Sequence, residues 1–357
     1  MGFDNLSERE RSVLGNLIDH YIATADPVGS RVIATQYDMG LSSATIRNTM
    51  QDLEDLGVIS QPHTSAGRVP TDVGYRLYVD SLLKAESLTP EERSRLGQSI
   101  AGSGQSIDAI LGHSTRILAE LAHQMGVTVA PKFDSGVLKR LQLVSLSPEK
   151  ILVVLVVRSG LARSVLLEVE TSLPENDLAT LESILNEKLC GLSLGEIRRT
   201  VAQRLADAPG NARLLKLFIE PDSSLWQNYG ESQTHVVGAE NLLSQPEFSD
   251  PSHLVEFVRA VEDQEKLMSS LGADENGGAS GASGASGAPA VLVRIGSENT
   301  LEELKRCSVV SAKYKVGQIE GKIAVIGPTR MRYSRLLSIV EFAAHSISER
   351  LSTMDTD

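Results

Sequence analysis

The stretch SSATIRNTMQDLEDLG, residues 42–57, sets two hydroxyl residues, an arginine and an asparagine among apolar positions spaced four and three apart. On a helix, Ile46, Met50 and Leu53 share one face, so Ser43, Thr45, Arg47, Asn48 and Gln51 lie on or beside the opposite one. These are the residue types that read duplex DNA. Arginine pairs with guanine, asparagine or glutamine with adenine, and serine or threonine with a phosphate or either purine. Ser42 or Ser43 is the expected N-cap and Gly57 the left-handed stop. The N–H groups of the first turn are suited to a phosphate. A second group of donors lies in PHTSAGR, where His63, Thr64, Ser65, Gly67 and Arg68 carry little apolar surface and suit a loop tip that reaches a minor groove or a backbone. Arg31 is a further candidate phosphate contact.

The elements that must position these groups follow from the surrounding pattern. Ser7 with Glu10 predicts a capping box, and behind it Val13, Leu14, Leu17, Ile18, Tyr21 and Ile22 repeat at helical spacing. Pro27 and Gly29 in ADPVGS break that helix, a short helix is expected from about Ser30 to Tyr37, and MGLS turns around Gly40 into the segment quoted above. VISQ reads as a strand, PHTSAGR as its tip and VP as the return strand ended by Pro70. Thr71 then starts a helix through GYRLYVDSLL, with Tyr75, Tyr78 and Leu82 available to pack. Helix, short helix, turn, capped helix and hairpin is the order of a winged helix-turn-helix, whose second helix enters the major groove.

Charge limits how such a surface works. The chain carries a net −12, and within residues 1–86 the basic side chains Arg9, Arg11, Arg31, Arg47, Arg68, Arg76 and Lys84 are outnumbered by carboxylates. Affinity without sequence preference comes from neutralised phosphates, so weak non-specific binding is expected. Arg31, Arg47 and Arg68 nevertheless fall on the three elements that would face DNA. One such helix reads only a few base pairs, and a symmetric dimer doubles the contact by placing two helices a DNA turn, or a multiple of it, apart.

Beyond residue 86 the pattern changes. Residues 88–130 read as helical, with Ile107–Met125 the stronger part. VLKRLQLVSLS, KILVVLVVRSG and ARSVLLEVE read as a β-meander, 174–220 as helical and 221–250 as irregular. HLVEFVRAVEDQEKLMSSL is an amphipathic helix, and GADENGGASGASGASGAP has the composition of a flexible linker or surface loop. AVLVRIG, CSVVSAKY and GQIEGKIAVIG are strands again, followed by a helix from about Arg330 to Leu351. Strands at 137–170 and 290–327 with helices between them suggest one α+β domain carrying an insertion.

Other classes find little support. The chain of 357 residues, 41% apolar and 22% charged, has the composition of two or three soluble globular domains, and 4% aromatic residues disfavour a stacking platform for single strands. The longest apolar run, Ile151–Val157, falls far short of the roughly 20 residues that span a bilayer, and the first ten residues have no apolar leader. A soluble, cytoplasmic protein is expected. Cys190 and Cys307 are single and far apart, which argues against a disulfide framework or a zinc site. The seven histidines lack metal-ligand spacing, and His113 and His123 read as surface or packed residues. The glycine-rich tract is not closed by Gly-Lys-Ser or Gly-Lys-Thr, so it is no P-loop, and IAVIGPTR reads as an ordinary strand-to-helix connection. No enzyme, metal or cofactor is expected.

DPVGSR, SSATIRN, LGVISQPHTSAGRVPTDVGYRLYVD, IGSEN, CSVVSAKY and GKIAVIGPTRMRY resemble, in order, the signature segments of the bacterial heat-inducible transcription repressor family HrcA. The resemblance implies a multidomain α+β fold: a winged helix-turn-helix at 1–86, a GAF-like α/β domain at 87–173 and 236–357, and a dimerisation domain inserted at 174–235. The Gly-Ala-Ser loop at 272–289 departs from the family's compact pattern. The family's implied partners are double-stranded DNA with an inverted-repeat operator ahead of chaperone genes, a second copy of the chain, and the chaperonin GroEL, which favours the active form. The residues expected to meet DNA are Arg31, Ser42, Ser43, Thr45, Arg47, Asn48, Gln51, His63, Thr64 and Arg68. The alternative is a winged-helix repressor gated by a small molecule held in the GAF-like domain.

Overall fold

A computed structural model describes residues 6–63, 66–83, 86–103, 107–131, 136–158, 162–169, 175–209, 212–219, 234–249, 255, 257–259, 261, 263–272, 290–317 and 319–353. The chain divides into two compact units. One comprises Met1–Thr128, Thr234–Lys313 and Lys322–Ser346; the other comprises Val129–Gln233, Tyr314–Gly321 and Ile347–Asp357.

The first unit begins with α1 (Glu8–Thr24), opened by the expected capping box: Glu10 N–H donates to Ser7 Oγ at 3.3 Å and Ser7 N–H to Glu10 Oε2 at 2.7 Å. Val13, Leu14, Leu17 and Ile18 are buried along one stripe. Against it pack α2 (Ser30–Gln36) and α3 (Ser43–Asp55). The hairpin is short, with β1 (Ile59–Ser60) pairing β2 (Val69–Pro70) antiparallel in the register Ile59 with Pro70 and Ser60 with Val69. The segment before α2 extends it, because Val28 and Arg68 exchange two backbone hydrogen bonds of 2.8 Å. A Cβ on Gly67 would lie 2.5 Å from the Val28 carbonyl carbon, so this close approach requires glycine there. Next comes α4 (Asp72–Leu77), capped by Thr71. The continuous helix expected through Leu83 is replaced by α4 and a π-helical turn over Tyr78–Leu82.

The remainder of this unit is a sheet body with covering helices. Helices α5 (Pro90–Ala101) and α6 (Ile107–Ala122) pack together, and α6 ends before His123, which takes a left-handed φ of 51° and releases the chain into β3 (Met125–Val129). The helix expected to reach Met125 therefore stops sooner.

The second unit holds the meander. Strands β4 (Leu138–Ser147), β5 (Lys150–Val157) and β6 (Ala162–Glu168) form an antiparallel three-stranded sheet in chain order, with Val144 opposite Leu152 and Leu152 opposite Leu166. Ile151, Val153, Leu155 and Val157 are buried on one face, and α7 (Glu175–Leu189) packs against β4. Helices α8 (Leu194–Leu205) and α9 (Ala212–Ile219) pack together.

The body's sheet has five strands in the order β7-β3-β10-β9-β8, with β7 (Thr234–Val237), β8 (Val291–Ile295), β9 (Cys307–Val316) and β10 (Ile319–Pro328). Strand β7 and helix α10 (Ala239–Leu243) lie in the stretch expected to be irregular. A four-residue edge strand carries too little alternation to stand out in sequence. Helix α11 (Gln264–Gly272) buries Leu267 and Leu271; part of the amphipathic run before it, and residues 273–289 of the Gly-Ala-Ser stretch, lie outside the described residues. The last helix, α12, runs over Tyr333–Thr353, later than the expected start at Arg330. The two strand-rich stretches, 137–170 and 290–327, form separate sheets and do not share one. The meander and the 175–219 helices belong to the same unit.

Candidate nucleic-acid interface

The reading surface begins with how α3 is held. Ile46, Thr49, Met50 and Leu53 are buried, which fixes the helix's rotation about its own axis. Ser42 is its N-cap: Thr45 N–H donates to Ser42 Oγ at 3.1 Å, and the Ser42 and Thr45 hydroxyls lie 2.9 Å apart. The Ser43 hydroxyl lies 3.2 Å from that of the buried Ser30 and joins the first turn of α3 to the first turn of α2. Gly57 closes the far end with positive φ.

With the inner face fixed, Arg47, Asn48 and Gln51 are exposed, as are Ser42 and Arg31, while Ser43 and Thr45 are half-buried. Arg47 and Asn48 lie in the first two turns, beside the helix's free N–H groups, where an anion is stabilised by those dipoles. Gln51 Nε2 donates to Asp55 Oδ1 at 3.1 Å, so reading a base with it requires that bond to open. Asp52, Glu54 and Asp55 make the other end of α3 acidic, which confines positive potential to its N-terminal half.

The wing is placed less simply. His63 is exposed, and Thr64 lies outside the described residues. Gln61 Nε2 donates to Ala66 O at 3.0 Å across the loop. Arg68 is half-buried, and its Nη2 pairs with Glu54 Oε2 at 2.8 Å, with side-chain exposures of 18% and 26%. This pair ties the wing to the last turn of α3. Sequence reasoning missed Glu54 and the Val28 bridge, since both contacts are made between elements and neither has a local signature.

Among the described residues, no group of three or more His, Cys, Asp or Glu is placed to hold a metal ion. No helix among them is long and apolar enough to cross a membrane. Burial pushes the Cys307 thiol up to about 12, which keeps it protonated and unreactive at neutral pH.

Three helices, a two-stranded wing, and a capped third helix with an exposed Arg47–Asn48–Gln51 face define the winged-helix class of DNA-binding proteins. Residues 5–81 match the family model for the winged helix-turn-helix transcription repressor HrcA DNA-binding domain, and residues 108–337 match the HrcA protein C-terminal domain. The chain belongs to the HrcA family. It is 38% identical over 357 residues to the heat-inducible transcription repressor HrcA of Chlorobium phaeobacteroides (strain BS1), covering 99% of this chain and 100% of the relative. Identity to the repressor of the same name from Pelotomaculum thermopropionicum is 36% over 351 residues, 97% of each chain. A crystal structure described only as a hypothetical protein aligns over 98% of this chain and 100% of its own, with a TM-score of 0.59 and 25% identity.

Proposed function

We propose that this chain is a heat-inducible transcription repressor that binds, as a homodimer, an inverted-repeat operator ahead of chaperone genes. The observation that carries the reading is the α3 surface: Arg47 and Asn48 exposed at the start of a capped helix whose opposite face is wholly buried. Repression is steric, by occupation of DNA that polymerase needs. The contacting residues are Arg31, Ser42, Ser43, Thr45, Arg47, Asn48, Gln51, His63, Thr64 and Arg68, with base reading assigned to Arg47, Asn48 and Gln51.

Dimerisation is assigned to residues 174–235, which belong to the second unit as far as Gln233. The exposed apolar side chains Val144, Leu146 and Leu166 on the open face of its meander support that assignment. Release on heating follows from marginal folding, because a protein stabilised by only about 5–15 kcal/mol loses native population steeply over a few degrees. A chaperonin of the GroEL type that refolds the inactive form restores repression once other unfolded clients are gone. The reading is of a cytoplasmic regulator and not an enzyme.

A mobility-shift titration with inverted-repeat, half-site and scrambled duplexes at fixed salt, before and after heating, tests this. The expected result is tight binding to the inverted repeat that is lost on heating and regained with chaperonin. Equal affinity for the scrambled duplex would remove the reading. Release by a small molecule at constant temperature would replace thermal control with ligand gating.

A further inference from the structure

Two of the segments that carry the family resemblance, DVGYRLYVD and IGSEN, have no part in the reading surface, yet they meet. Arg76 of α4 donates from Nε to Glu298 Oε1 at 2.8 Å, bonds Glu298 Oε2 through Nη2, and donates from Nη2 to the Val293 carbonyl at 2.7 Å. One turn earlier, Asp72 Oδ2 accepts the Ser297 N–H at 2.8 Å. A Cβ on Gly296 would collide with the Asp72 carboxylate, so glycine is required for this approach.

The receiving turn is itself rigid. Glu298 Oε2 accepts the Ile295 N–H at 2.8 Å, and the buried Asn299 Nδ2 donates to the carbonyls of Gly296, Leu304 and Cys307 at 2.9–3.0 Å. A second anchor grips another element of the winged helix. Arg330 donates from Nη1 to the Ile22 carbonyl near the end of α1 at 3.0 Å, and its Nε bonds Glu247 Oε1 at 2.7 Å.

None of these polar groups belongs to the apolar core that holds α1, α2 and α3 together. Apolar burial is non-directional, whereas a guanidinium fork on a carboxylate fixes geometry. Tyr75 of α4 also packs against Tyr333 of the body, both of them buried, but that apolar contact specifies direction less sharply than the polar anchors. Two anchors on separate elements, α4 and the end of α1, fix its orientation on the sheet body.

We propose that Arg76, Asp72 and Arg330 are positioning residues: they set the direction in which α3 faces from the body, and thereby the operator spacing that two joined copies bridge. The inference rests on the dimeric DNA-binding reading above. When two sites are bound together, the second event benefits from an effective concentration that collapses if the linked site is misoriented. Loosening the anchors therefore costs affinity for the full operator and leaves each half-site untouched.

The experiment uses the full-length chain and variants Arg76→Gln, Arg330→Gln and Asp72→Ala. Each is titrated with half-site duplexes and with inverted repeats whose half-sites are moved apart by single base pairs. The expected result is full-operator affinity lower by about 10-fold or more, unchanged half-site affinity, and a broader range of tolerated spacings. Full-site and half-site affinities that fall together, or an unchanged spacing preference, would overturn the proposal. Asp72→Ala removes the acceptor of the Ser297 N–H and leaves both guanidinium anchors in place, so it decides the question if the arginine variants unfold. Wild-type protein that treats inverted repeat and scrambled duplex alike would instead sink the underlying DNA-binding reading.

Discussion

Arg47 and Arg68 are both arginines of the winged helix, but their surroundings differ. Arg47 is exposed on α3, whereas Arg68 is half-buried and paired with Glu54. If Arg47 makes a bidentate base contact, Arg47→Ala lowers operator affinity by about 1–3 kcal/mol and relaxes preference at one base position. Binding isotherms on an operator set with single-base changes check this, and retained affinity and preference would remove the assignment. If Arg68 touches only phosphate, Arg68→Ala weakens operator and scrambled duplex alike and reduces the slope of log affinity against log salt by about one phosphate contact. A salt titration on both duplexes decides it. The types and spacing of Arg47, Asn48 and Gln51 were legible in the sequence because helical periodicity separates outer from inner face. The Gln51–Asp55 bond lies one turn apart on that same helix, but the Glu54 partner of Arg68 comes from another element and leaves no trace in local spacing.

Elements are held by a few local devices that decide whether those side chains face outward. Ser42 satisfies an otherwise free N–H of the first turn of α3, and Ser43 joins that turn to α2 through Ser30. Ser42→Ala is expected to cost about 0.5–2 kcal/mol of stability, with recovery in Ser42→Asp. Urea unfolding of the three proteins measures it, and an unchanged midpoint for the alanine variant would show the cap to be dispensable. Caps, stops and the amphipathic faces of α1 and α3 are written in adjacent residues, so their expected and observed positions agree closely. The π-helical turn at Tyr78–Leu82 and the four-residue strand β7 are not so written. Packing against neighbours decides the first, and pairing with β3 at a sheet edge decides the second.

At the scale of the whole molecule, stability reflects groups far from the reading surface. Burial lowers the Lys322 ammonium in β10 to about 8, while its unfolded value is 10.5. Between those values the unfolded chain binds more protons than the folded one, so stability rises with pH from about 8 to 10.5. Lys322→Met is expected to flatten that part of the melting-temperature profile relative to wild type. Parallel profiles for the two proteins would show that Lys322 is not penalised in the fold. The sequence by itself determined the winged helix, which face of α3 is exposed, the order of the meander strands and the family, because each rests on periodicity, caps or contiguous strings. Only the tertiary structure decided that the meander and the 290–327 strands build separate sheets, that Glu54 holds Arg68, and that Arg76 finds Glu298. Those outcomes depend on pairing between residues distant along the chain, where many partners satisfy the same local pattern and only simultaneous packing selects one.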